Sequence, residues 1–263
     1  MKIKINDEFR EETISFLKSL KKESSFAFFP ASKGLTKDGK SIDLGFSCLA
    51  LKSFYILNEW ENISHNESQE WVDYINSFQI KNDDKFPKGS FVDPTYHKLI
   101  SRIDLVKELK RLGRKVLNKN YKSKNQEIDE FIRAETKQAI SSLHQVGSQN
   151  TVRYKSNLLD SKKMLDYLNS LNWKTPWTSG AQFSGLCVFL ESQEIDNQEY
   201  ILLKKQLITF SNDLLDKQTG CYFKESVTSD SEMINGAMKV LTGLDWLATP
   251  VHEPKNLIDT CLE

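Results

Sequence analysis

Apolar residues recur with the period of an α-helix along most of the chain, and few stretches alternate as strands do. Phe46, Leu49, Ala50, Phe54 and Leu57 form one stripe. A second, over Asn66–Gln79, presents Trp71, Tyr74, Ile75 and Phe78. Asn66 or Ser68 is its candidate cap, and Glu67 and Glu70 complement the positive end of the helix dipole. Residues 83–94 hold the pair Asp83-Asp84, Pro87, Gly89 and Pro94 and read as loop. Further stripes open near Glu135 (Ala139, Ile140, Leu143, Val146, ending at Gly147), at Ser161, near Gln182, over 199–216 and near Ile234. A last one begins at Pro254, a good first helical residue. The pattern predicts an all-α protein.

The stripes come in pairs. The helix starts near 46, 135, 182 and 234 are spaced by 89, 47 and 52 residues, the first gap being about two units. The opening Gly45-Phe46-Ser47-Cys48-Leu49-Ala50-Leu51 is similar to Gln182-Phe183-Ser184-Gly185-Leu186-Cys187-Val188. Two helices per ~40–50 residues describe an array of αα-hairpins, stacked as an open superhelix or closed into a ring. The division expected is an N-terminal helix and extended lead-in over 1–44, then about five hairpins over 45–263 with a basic helical insertion at about 97–130.

The loops within the pairs are long and carry Gly-aromatic steps: Gly89-Ser90-Phe91, Pro176-Trp177 and Gly220-Cys221-Tyr222-Phe223. The segment 75–79, followed by Gly89-Ser90-Phe91-Val92-Asp93-Pro94, resembles the glutamine–glycine–aromatic repeat of the terpenoid cyclases and protein prenyltransferases, and 216–222 repeats it more loosely. The resemblance implies an α/α toroid, partial or closed, and no particular reaction. In such a ring the inner helices point their N-termini toward one mouth. Arg133, Glu135, Gln138, Gln182, Ser184, Asn235 and Lys239 would line it with Ser47 and Thr136, and the loops would add Trp173, Trp177, Phe91, Tyr222 and Asp93. Free N–H groups there favour an anionic or polyhydroxyl ligand. Each residue also has a plainer reading: a helix start for 133–138, core plugs for Trp173 and Trp177, a cap for Asn235, a solvated Lys239.

Charge narrows the partners. The 263 residues include 36 basic and 36 acidic side chains, a formal net charge of zero, which argues against a broadly basic nucleic-acid binder. The N-terminus is not followed by an apolar signal segment, and the four cysteines are far apart. Both point to a cytoplasmic protein with reduced thiols. One local excess stands out. From Lys107 to Lys124 there are eight basic residues and one acid, Glu108. Leu105, Val106, Leu109, Leu112 and Val116 share one helical face of this stretch. Either the basic face is solvated or the segment docks on an anionic membrane surface or a polyphosphate. The sequence carries no signal for oligomeric state.

Much chemistry lacks its residues. The D-x-D-D and D-D-x-x-D clusters of terpenoid cyclases are absent, Asp83-Asp84 being followed by Lys85-Phe86-Pro87. His65, His97, His144 and His252 lack ligand spacing, and there is no G-x-S-x-G, P-loop or dinucleotide fingerprint. No metal and no cofactor is therefore expected. What remains is carboxylate chemistry. Glu135 is the candidate acid/base and Asp93 the second carboxylate. Arg133 or Lys239 would neutralise a substrate anion, and Gln138, Trp173, Trp177, Gln182, Ser184, Tyr222 and Asn235 would bind substrate. The leading expectation is a carbohydrate-active enzyme (lyase, epimerase or hydrolase) working on a small molecule or oligosaccharide. The alternatives are an isoprenoid-binding or cyclase-like protein and a non-catalytic binding or scaffold module.

Overall fold

A computed structural model describes residues 6–262 apart from 24, 84, 103, 117–122 and 193–194. Asp84 and two members of the basic stretch, Lys119 and Lys122, lie outside the described residues. Among the described residues the regular structure is all helical, and the extended pairing consists of isolated bridges. Contacts divide the chain into two units. The first, Met1–Arg153, holds α1 (Asp7–Ser19), α2 (Leu44–Ile56), α3 (His65–Asn76), α4 (Pro94–Ser101), α5 (Leu105–Val116) and α6 (Lys124–Gln145). The second, Tyr154–Glu263, holds α7 (Ser161–Ser170), α8 (Pro176–Ser192), α9 (Asn197–Leu214), α10 (Asp230–Trp246) and α11 (Pro254–Leu262).

Three helices begin well before the periodic stripes place them. A capping box, Ser123 with Gln126, starts α6 at Lys124, so Glu135 lies in mid-helix and not in a first turn. Pro176 starts α8, putting Gln182 in its second turn. The Ser229 hydroxyl accepts from the Glu232 N–H and starts α10 at Asp230, so Asn235 is interior. The caps lie in polar segments, where an apolar period gives no signal. In the same way Ser64, rather than Asn66 or Ser68, caps α3.

In the first unit α3 folds back on α2. Its Trp71 donates from Nε1 to Ser47 Oγ at 2.9 Å. Four rings, Phe26, Phe28, Phe54 and Trp60, surround Trp71 with centroids 5.2–5.7 Å away. Phe26 and Phe28 come from the lead-in, which is thereby stacked into this core. Helices α2 and α6 run side by side in the same direction: the start of α2 and Glu135 share Asp93, and further along Ser142 Oγ donates to the Cys48 carbonyl at 3.5 Å.

In the second unit α8 and α10 are also parallel, and glycine brings them together. A Cβ on Gly236 would fall 2.5 Å from Pro176 Cβ, one on Gly180 2.9 Å from the Gly236 carbonyl oxygen, and one on Gly243 3.0 Å from Cys187 Sγ. The return helix α9 meets α8 where Tyr200 OH donates to Glu191 Oε1 at 2.8 Å. It lies beside α7, where Gln206 Nε2 donates to Ser161 Oγ at 2.7 Å. One layer is thus α8 and α10, the other α7 and α9. Leu186, Leu190, Leu203, Leu207, Val240 and Leu244 are part of the core that the second unit encloses.

A small hairpin follows α1, α3 and α9, built each time on the same two hydrogen bonds. The bridges are Lys21 with Phe28, Gln79 with Phe91 and Leu215 with Tyr222. The residue after each aromatic donates back to the residue before its bridge partner: Phe29 N to Leu20 O at 2.8 Å, Val92 N to Phe78 O at 3.1 Å, Phe223 N to Leu214 O at 2.9 Å. Each aromatic is buried. Gly89 and Gly220 turn their hairpins with φ of 81° and 70°. Only the middle hairpin has the amide. Gln79 Nε2 donates to Gly89 O at 2.9 Å, and Gln79 Oε1 accepts from Val152 N at 2.8 Å. In the last, Asp216 Oδ1 takes the Thr219 N–H at 2.8 Å and Gln218 is exposed.

These contacts set an ordering for glycine substitutions. Gly236→Ala forces α8 and α10 apart and lowers unfolding stability by about 1–3 kcal/mol. Gly220→Ala adds left-handed strain to a clash 2.6 Å from Leu257 N and costs at least as much. Gly45→Ala meets nothing within 4 Å and raises stability by up to about 1 kcal/mol through helix propensity. Urea denaturation of the three variants checks the ordering.

Candidate functional site

The most unusual polar group in the first unit is Glu135. Its residue is 7% exposed, held mid-helix by the packing of α6. Oε2 accepts from the Asp93 N–H at 3.1 Å, and Oε1 is buried with no hydrogen-bond partner among the described residues. Burial pushes its carboxyl up to about 8, and the negative charge of Asp93 adds to the rise. It is therefore a carboxylic acid at neutral pH. Tyr96 and Cys48 lie close enough to feel its charge. Burial raises both, and the Cys48 thiol, pushed to about 12, is inert.

Asp93 is equally buried, 1% exposed, and differs in every other respect. Oδ1 accepts from Thr95 N at 2.9 Å and Tyr96 N at 3.2 Å, capping α4, whose first residue is Pro94. Oδ2 accepts from Asp43 N at 2.7 Å and Leu44 N at 3.1 Å at the start of α2. Four backbone N–H groups at two helix ends thus occupy both oxygens. Next to it, Asp43 pairs with Lys22 and hydrogen-bonds Tyr74, whose hydroxyl is raised by burial and then by Asp43. Phe91 N donates to Thr136 Oγ1 at 3.0 Å, so Thr136 and Glu135 together clasp the backbone of 91–93.

The other expected residues fall into two sets. Arg133 and Gln138 share α6 with Glu135. Gln138 is three residues on and on the same face; Arg133 is two residues back and faces the other side of the continuous helix. In the second unit Gln182 Oε1 accepts from Tyr167 OH at 2.9 Å, and Asn235 Nδ2 donates to Ser231 O at 2.8 Å. Ser184 is fully buried where α8 passes Gly243, its Oγ without a partner among the described residues, and half-buried Lys239 stands beside Gly180. Trp173 is a core residue, donating from Nε1 to Leu168 O at 2.9 Å. Tyr222 is buried with its hydroxyl 3.1 Å from His252 Nδ1. Trp177 is 47% exposed.

Tyr96 and Cys48 belong to the Glu135 neighbourhood, and Asp43 and Tyr74 to that of Asp93; the sequence marked none of the four as a site residue. Asp93-Pro94 is a legible helix-start signature, and it marks Asp93 as a cap. Among the described residues there is no group of three or more His, Cys, Asp and Glu able to hold a metal ion. Comparisons with protein families, curated proteins and solved structures find no match for this chain.

The two carboxyls have separable signatures. Native Glu135 keeps its proton to about pH 8, whereas in the unfolded chain it ionises near 4.5. Its contribution to stability is complete below about pH 4.5 and is lost as pH rises toward 8, at roughly 1.4 kcal/mol per pH unit. Glu135→Gln flattens that slope and unfolds at higher temperature than wild type at pH 8, as calorimetry across pH would show. Asp93→Asn leaves two of four N–H groups facing a donor and costs about 1–3 kcal/mol, measurable by urea denaturation at pH 7.

Proposed function

We propose that this chain is an acid/base enzyme acting on a glycan, with Glu135 as its proton donor. The observation that carries the reading is the Glu135 carboxyl itself, buried, raised to about 8 and with Oε1 unpartnered among the described residues. Cleaving a sugar or shifting a proton on it needs an acid that still holds its proton at neutral pH. Gln138, on the same face of α6, is the group placed to meet a substrate hydroxyl. Asp93 serves as the positioning residue that fixes α2 and α4 around the acid. Its oxygens are filled by backbone donors, which favours lyase or epimerase chemistry with one acid/base over a two-carboxylate hydrolysis. An α/α toroid is the arrangement proposed for the hairpins. It is supported by the parallel pairs α2/α6 and α8/α10 and by the recurrent helix-end hairpins.

A second reading, a non-catalytic binding module, is favoured by the burial of Trp173 and Tyr222 in the core, which removes two of the expected substrate-stacking rings. One experiment separates the two. The protein is incubated with neutral and uronate-containing oligosaccharides, and both binding and product formation are followed. The enzyme reading expects turnover that falls as pH rises through about 8, and a loss of about 100-fold or more in Glu135→Gln. Binding without turnover, equal in wild type and Glu135→Gln, assigns the binding module instead.

A further inference from the structure

Helix α5 leaves its apolar face uncovered. Val106, Leu109, Leu112 and Val116 are 61%, 68%, 57% and 83% exposed. Single exposed leucines are ordinary, but four apolar residues spaced by three, three and four on one helix form a continuous stripe. The helix is tied to its own unit through Arg111, whose guanidinium reaches Glu108 and, on α6, Glu127. That anchorage engages the polar side.

We propose that α5 docks on the surface of an anionic bilayer, its apolar stripe entering the headgroup boundary and the basic stretch supplying the electrostatic attraction. Charge complementarity selects this occupant. Residues 107–124 hold eight basic residues and one acid within a chain of zero net charge, and that acid, Glu108, is already paired with Arg111. A leucine–valine stripe within a strongly basic stretch of sequence is the composition of an interfacial helix. A second copy of the chain fits poorly. Docking stripe to stripe would bring two such basic stretches together, and four side chains fall far short of the about 20–30 residues a stable interface commits per side. A soluble polyphosphate would use the charge and leave the stripe unexplained. Among the described residues no helix is long and apolar enough to cross a membrane, so the association is peripheral. The inference is independent of the enzyme reading, since α5 carries none of the residues placed near Glu135.

The test is co-sedimentation of the full chain with phosphatidylcholine vesicles, with and without phosphatidylserine. The expected result is binding to the phosphatidylserine vesicles that weakens as salt is added. Leu109→Ser with Leu112→Ser weakens it at least about tenfold, Lys110→Glu by roughly tenfold, and Leu109→Trp tightens it. These side chains are exposed, so an unchanged melting temperature confirms that the variants fold. Absence of binding to phosphatidylserine vesicles overturns the proposal. So does binding that the double serine variant leaves unchanged, or a concentration-dependent dimer of the wild type that the same variant abolishes.

Discussion

A carboxylate can be buried only if its lone pairs are filled, and in the first unit Asp93 meets that condition with four backbone N–H groups. Those donors are the orphans of two helix ends, α2 and α4, which would otherwise have to be solvated. One side chain therefore settles two helix starts at once. The same residue's N–H holds Glu135, which ties α6 to the junction. Loss of the charge would leave several buried donors unpaired together, so the arrangement around this junction is all-or-none.

That constraint also explains why two neighbouring carboxyls have opposite surroundings. Asp93 is surrounded by backbone donors at two helix ends. Glu135 has one donor for two oxygens and is cut off from solvent by burial, and the negative charge on Asp93 opposes a second charge. Burial of a carboxyl in this way is how a protein keeps an acid protonated at neutral pH. The cost of holding Glu135 is borne by the packing of α2 and α6, whose polar contacts, Ser142 on Cys48 and Lys52 on Ser141, complete the seam.

The second unit solves its packing by other means. Its layer of α8 and α10 depends on the absence of side chains, with Gly180, Gly236 and Gly243 letting backbone approach backbone. Trp173 and Tyr222 fill the ends of the hairpins and spend their polar atoms on Leu168 and His252. Rings that a sequence pattern offers to a ligand are here committed to the core, because a large aromatic gains more from full burial than from a partly wet loop.

The sequence by itself determined the all-α class and most of the helices, because an apolar stripe of period 3.6 is a local property that any packing partner must respect. Ser161 and Pro254 opened α7 and α11 where the pattern put them, and the glycine–aromatic steps did mark two of the helix-end hairpins. The starts of α6 and α10 were legible only as caps, which act through one or two polar contacts and leave no periodic trace, and that of α8 only as Pro176. Tertiary structure alone decided the rest. Placing Glu135 in mid-helix moved it from a dipole-lined mouth to a buried seam, and folding the chain back brought the Asp93 oxygens onto amides 49 and 50 residues away. Whether a carboxyl is an acid or an anion depends on which donors surround it, and those donors come from segments that only the folded chain brings together.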